Sequence, residues 1–135
     1  MSSIYNSPLY LDLSARLPFG VMCKIEFLHG DTPYKMLGID EDKIHLDTPV
    51  YDEGDGYFAL YDVVPFLRPM SDMTEDEEIE YECVCERHYN EFDNSYFYTD
   101  TPQSIDWLNQ HMFDHRGLIE KKWAKAAPKD MYKFD

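Results

Sequence analysis

Positive charge is scarce in this chain. Its 135 residues hold 12 Lys and Arg against 27 Asp and Glu, a formal net charge of −15. A field of that sign repels nucleic-acid backbones and anionic membranes and attracts basic surfaces, including those built to hold nucleic acid. Direct nucleic-acid binding and membrane association therefore drop out of the expected functions. Cysteine is also scarce. Cys23, Cys83 and Cys85 are an odd number, which argues against a disulfide framework and for a reducing cytoplasm. No apolar run approaches the ~20 residues of a membrane helix. The opening MSSIYNSPLY lacks the basic and apolar regions of a secretory signal. No Gly-rich phosphate loop, Gly-x-Ser-x-Gly, His-Glu-x-x-His or Cys/His nucleophile pair appears, so no catalytic residue, resident metal or cofactor is nominated.

Apolar residues are not lacking. They make up 44% of the chain, and aromatics 16%, which is enough to build a core and argues against global disorder. The length suits one domain over residues 1–135, with a strand-rich half (1–70) and a helical half (71–135). LDLSARLP suggests one or two helical turns stopped by Pro18 and Gly20. Val21, Cys23, Ile25 and Phe27 alternate with Met22, Lys24 and Glu26, the period of a half-buried strand. Tyr34–Ile39, Lys43–Leu46 and Tyr57–Tyr61 follow as strands, separated by turn-forming residues. Val63–Leu67 is a fifth, placed at an edge because of Pro65. Beyond Arg68 the pattern becomes helical. Thr74-Glu75-Asp76-Glu77 is a capping box, predicting a helix from about Glu75 to Phe92. The alternation in EIEYECVCE makes a local strand its competitor. Phe92–Asp100 is expected as a loop or short extended piece. Thr101-Pro102 opens a second helix with Ile105, Leu108 and Met112 on its buried stripe and Gly117 at its end. Leu118–Ala127 is a candidate third helix, and Lys129–Asp135 is expected to be loose unless Tyr132 and Phe134 dock. The expected fold is α+β: a small curved antiparallel sheet, or a barrel of the Src-homology-three type, followed by two or three helices packed on it.

Three stretches carry a family resemblance: SARLPFGV, VVPFLRPMSDMTEDE and IDWLNQHMFDHRGLIEK. They resemble a family of small uncharacterised proteins encoded by phages and mobile elements of gut Bacteroidales. The usual patterns there are variants of LPYGV, KPYLRPMSSMTEEE and DWLNAHHFDYRGLIEKGLA. The matching motifs fall at Leu17–Val21, Val64–Glu77 and Asp106–Lys121. Asp72 departs where the family often has Ser, and Lys122-Trp123 where it often has Gly-Leu. The resemblance implies a strand-rich first half, a helical second half and work in a bacterial cytoplasm. It implies no activity, and Glu78–Tyr98 falls outside it.

Several clusters invite chemistry. His111 and His115, with Asp114, have spacing that suits zinc if a third ligand comes from elsewhere; more simply, one packs on the core and the other marks a helix end. Cys83 and Cys85 lack the spacing of a redox or zinc pair and are expected as buried small hydrophobes. Asp47, Asp52, Glu53 and Asp55 make an oxygen-rich loop whose spacing misses the EF-hand pattern. Tyr57, Phe58, Tyr61, Tyr96, Phe97 and Tyr98 can stack bases only in a basic surround, so core and interface packing is expected of them.

The acidic segment remains. Ser71–Asp93 holds ten acids and one base, Arg87. On a continuous helix these acids approach the linear charge density of a single nucleic-acid strand; more simply, they make a solvated helix face that only aids solubility. The residues nominated for partner binding are Asp72, Glu75, Asp76, Glu78, Glu80 and Glu82. The expected function is a non-enzymatic acidic protein-interaction module of phage or mobile-element origin. Its partner is a basic host protein, and the sharpest form is inhibition of a nucleic-acid-binding defence or DNA-processing factor by acidic mimicry. Two alternatives stand beside it. One is a metal-dependent hydrolase or nucleotide-processing enzyme. The other is a self-associating structural module, in which the basic tail (six Lys/Arg against three acids in residues 116–135) lies on a neighbour's acidic face.

Overall fold

A computed structural model describes residues 7–28, 30–48 and 56–133. Pro8–Arg16 forms α1, with Pro8 in the first turn, where its missing N–H costs nothing. Five strands follow: β1 (Met22–Ile25), β2 (Tyr34–Asp40), β3 (Lys43–Leu46), β4 (Tyr57–Ala59) and β5 (Val63–Leu67). They pair antiparallel in the order β4-β3-β2-β1-β5. The chain then adds α2 (Glu75–Val84), the hairpin strands β6 (Glu86–Asn90) and β7 (Ser95–Thr99), and α3 (Pro102–Gln110). A two-residue β8 (Lys125–Ala126) pairs parallel with β5.

The α+β class and the curved sheet hold. The sheet is mixed rather than purely antiparallel, and it does not close as a barrel: β4 and β8 end it without pairing to each other. The alternation in β1 holds for Val21, Cys23 and Ile25, which are buried, and Glu26, which is exposed; it fails at Phe27, which lies past the end of the strand and is 61% exposed. These residues join Met36, Ile44, Leu46, Phe58, Val63 and Leu67 in the main core, closed by Leu9 and Leu13 of α1 and by Met112 and Leu118. Burial, with a contribution from Asp12, pushes the Cys23 thiol up and keeps it neutral.

β5 is not an edge strand; it lies between β1 and β8. Glu26 N–H donates to Asp62 O (2.8 Å), which sets the ladder alternation and turns the position of Pro65's missing N–H away from β1. β8 pairs only from Phe66 onward, so no ladder bond is forfeited there. At the other end of the ladder the tail docks. Met22 N–H donates to the Tyr132 hydroxyl (2.8 Å), which donates to Phe66 O (2.7 Å). One phenol thus bridges β1 and β5. Phe134 lies outside the described residues.

Element ends differ most from expectation. The capping box forms at Thr74 and Glu77, but α2 stops at Val84, whose carbonyl accepts from Thr101 Oγ1 (2.7 Å). Neither the long helix to Phe92 nor a strand over Glu78–Glu86 forms. The aromatic-rich stretch beyond suits a strand. Asn90 and Asp93 accept from Phe92 N–H and Ser95 N–H at 2.9 and 3.1 Å, turning the chain into a hairpin with Asn94 left-handed at φ 57°. α3 ends at Gln110, well before Gly117. Met112 takes the left-handed position (φ 61°), Phe113 N–H reaches back to Leu108 O and Met112 N–H to Asn109 O. No helix forms over residues 118–127. The Asp114 carboxylate accepts from Leu118 and Ile119 N–H (2.8 and 2.9 Å), Lys122 turns left-handed, and Ala127 N–H is drawn to Leu67 O (2.7 Å). Among the described residues no helix is long and apolar enough to cross a membrane.

Candidate protein-interaction site

α2 is held from one side. Met73, Tyr81 and Val84 pack on a second apolar cluster of Trp107, Leu108 and Phe113. Tyr81 and Trp107 lie with ring centroids 5.6 Å apart. The Tyr81 hydroxyl donates to Asp100, and burial together with that carboxylate raises the phenol's pKa. Below, Arg68 grips Glu77 through two parallel bonds of 2.8 Å while its guanidinium lies 4.2 Å from the Phe113 ring centroid. Such a fork is stronger than a single ion pair. Arg68 and the Thr74 N–H hold the Glu77 carboxyl below its usual range.

A second polar knot fixes α1 against α3. Asp12 and Arg16 are both fully buried. Arg16 Nε and Nη2 donate to the two Asp12 oxygens at 2.8 and 3.0 Å, and Arg116 Nη1 adds a third bond at 2.7 Å. Arg16 also donates to Phe113 O (2.6 Å), leaving its Nη1 without an acceptor among the described residues. His115 Nε2 lies 2.9 Å from Asn109 Oδ1, and Arg116 bonds the same oxygen. Burial, then the charges of Arg116 and Arg16, lower the His115 pKa to about 4.

With Glu77 used inside, the acids nominated from sequence are free. Asp72, Glu75, Asp76, Glu78, Glu80 and Glu82 are all exposed, and none has an ion-pair partner among the described residues. They do not form one row. At about 100° per residue, Glu75, Glu78 and Glu82 share one stripe of α2, with Asp76 and Glu80 on another. Asp72 precedes the helix, in a single turn (Met70–Asp72). It lines a cleft of about 360 Å³ with Arg68, Thr74 and Lys129 of the tail. The rest of the tail's positive charge partly folds back, Arg116 onto Asp12 and Lys125 onto Asp31 (2.7 Å).

The other candidates separate. His111 Nδ1 lies 2.9 Å from Trp107 O and its ring stacks on Trp107; His115 and Asp114 have the partners given above. Among the described residues no group of three or more His, Cys, Asp or Glu is placed to hold a metal. Asp52, Glu53 and Asp55 lie outside those residues, and Asp47 is exposed.

Two expectations are corrected. Cys83 is exposed and Cys85, in extended backbone just past the end of α2, is half-buried. Phe58 is in the core, but Tyr61, Tyr96, Phe97 and Tyr98 are exposed, so core packing fails for these four. The last three sit on β7, every residue of which is exposed. Sequence reasoning missed this aromatic surface. Its signal was the pair of aromatic runs flanking Asn90–Asn94. No protein-family model, curated protein or solved structure matches the chain.

Proposed function

We propose that this chain is a non-enzymatic protein-interaction module of phage or mobile-element origin that presents α2 and its flanking hairpin to a basic protein in a bacterial cytoplasm. One contrast carries the reading. Glu77 is bound by Arg68, while the five other α2 acids and Asp72 stand exposed without a counter-cation among the described residues. Unpaired like charges on one short helix repel each other, at a few tenths of a kcal/mol per neighbouring pair. A basic partner relieves that repulsion, and such a field also accelerates encounter with it. In its sharpest form the partner is a nucleic-acid-binding defence or DNA-processing factor whose basic cleft is occupied.

The test is affinity purification from host lysate with the chain and with a variant carrying Asp72→Lys, Glu78→Lys, Glu80→Lys and Glu82→Lys. The first-turn acids Glu75 and Asp76 are spared because they stabilise the helix N-terminus. The expected result is a basic protein captured by the chain, lost on charge reversal and weakened steeply by salt, with circular dichroism unchanged. Capture that survives the reversal and ignores salt refutes the reading.

A further inference from the structure

The hairpin β6–β7 is a two-stranded sheet separate from the main one, and every residue of β7 is exposed. Hairpins of this kind are marginal in water unless another strand or layer joins them. What supports this one lies in its cross-strand pairs: Tyr89 with Tyr96 (5.2 Å) and His88 with Phe97 (5.0 Å). The outer edge of β7 is paired with no strand among the described residues. Such an edge is a template for strand addition.

The pairing register sorts the side chains. Arg87 faces Tyr98 and Tyr89 faces Tyr96, so these four share one face. That face opens onto a groove of about 320 Å³ between the hairpin and α2, lined by Ile79, Glu82, Cys83, Cys85, Arg87 and Tyr98. Ile79 is 57% exposed and Tyr98 40%. A guanidinium already lies on this face, with Arg87 4.5 Å from the Tyr96 ring centroid. Tyr98 offers a second ring, and Glu82 a carboxylate beside it.

We propose that the free edge of β7 and the groove between the hairpin and α2 receive an extended, arginine- or lysine-bearing segment of a partner protein as a third strand. This rests on the basic-partner reading above and gives it a binding mode. Backbone bonds to β7 supply register. Alternate side chains of the incoming strand fall on the tyrosine face, where cations meet ring faces and Glu82. Charge selects this occupant over a second copy of the chain, which carries the same excess of acids to the same edge. Residues 71–100 hold eleven acids and one Arg.

The test uses the full chain and two synthetic probes of equal charge: an acetylated, amidated (Arg-Val)₃ peptide and its counterpart N-methylated at all six residues, which lacks the backbone N–H donors a strand needs. Amide NMR at physiological salt is expected to show (Arg-Val)₃ shifting Ser95–Thr99 together with Ile79 and Glu82, and binding at least tenfold tighter than the N-methylated peptide. Ile79→Lys places a cation in the groove without touching the hairpin, and it is expected to weaken (Arg-Val)₃ at least tenfold. Tyr98→Phe keeps the ring and is expected to bind as the parent does. Equal affinity for the two peptides, shifts confined to the acids of α2, or hairpin-mediated self-association at high salt each overturn the proposal. If lysate capture is lost on charge reversal of α2 but unaffected by Ile79→Lys, the acidic-module reading stands and the third-strand inference falls.

Discussion

Replacing Asp12 by Ala should be among the most damaging single changes in this protein. Asp12 accepts three of the bonds that hold two arginines: Arg16 twice and Arg116 once, at 2.7–3.0 Å. Arg16 has no exposed surface, and its remaining acceptor among the described residues is Phe113 O. Arg116 keeps Asn109, and its side chain is 26% exposed, so part of its charge reaches water. The cost is therefore set by Arg16. Stripping one partner from a buried pair costs about 3–5 kcal/mol, because the other charge stays buried. Typical domains have only ~5–15 kcal/mol in total. Urea unfolding followed by circular dichroism is the assay, with the slope held as a check that the unfolded reference is unchanged. The double change Asp12→Ala with Arg16→Met should recover a large part of the loss, since an apolar replacement removes the stranded charge along with its partner. A cost under about 1 kcal/mol for Asp12→Ala refutes the reasoning. Arg16 would then have to reach water in solution, and the knot joining α1 to α3 would not be the constraint described.

Tyr132→Phe deletes one oxygen but deprives two backbone groups, Met22 N–H and Phe66 O, of their partner; we expect a loss of about 1–3 kcal/mol, with faster hydrogen exchange at Met22. A change under half a kcal/mol counts against the tyrosine bridge. His115 is neutral in the fold, with a pKa of about 4 against an ordinary 6.5. The unfolded chain takes up its proton first as pH falls, so stability should be full above about 6.5 and decline toward 4. Because the ring is partly exposed, screening reduces the effect to on the order of 1 kcal/mol, and His115→Gln should flatten the melting temperature across that window.

The first five strands were legible because their periodicity is local; β6 and β8 fell in stretches that read as helix. Val21, Cys23 and Ile25 announce β1 without help from the rest of the chain, and the Thr74–Glu77 box marks the start of α2 at the correct residue. Endings were not legible, because distant partners set them. α2 stops where Thr101 reaches the Val84 carbonyl. Residues 118–127 are kept out of a helix by the Asp114 carboxylate and the Leu67 carbonyl. The acids of the site could be nominated from charge alone, since carboxylates without nearby bases stay at the surface. The aromatics of β7 could not, because Tyr96, Phe97 and Tyr98 have the composition of a core strand. Only their exposure in the fold shows that they are not one.

Three separate stretches of the chain, SARLPFGV, VVPFLRPMSDMTEDE and IDWLNQHMFDHRGLIEK, meet around one residue. Phe113 lies in the third; Arg16 of the first donates to its carbonyl, and Arg68 of the second lies over its ring. Arg68 also holds Glu77, and this clamp fixes the rotation of α2 about its axis. With Glu77, Tyr81 and Val84 turned inward, Glu75, Glu78 and Glu82 must share an outward stripe. Three carboxylates there cover seven residues of rise, or about one per 5 Å. A nucleic-acid strand carries a phosphate about every 3.4 Å of axis. α2 alone, only ten residues long, therefore does not copy a strand's register. The acids of the hairpin loop, Glu91 and Asp93, extend the negative field beyond the helix without adding to any row. A partner that recognises this surface responds to the sign and breadth of the field and to the aromatic groove beside it. Those are properties that side chains of a basic protein can match without phosphate-like spacing.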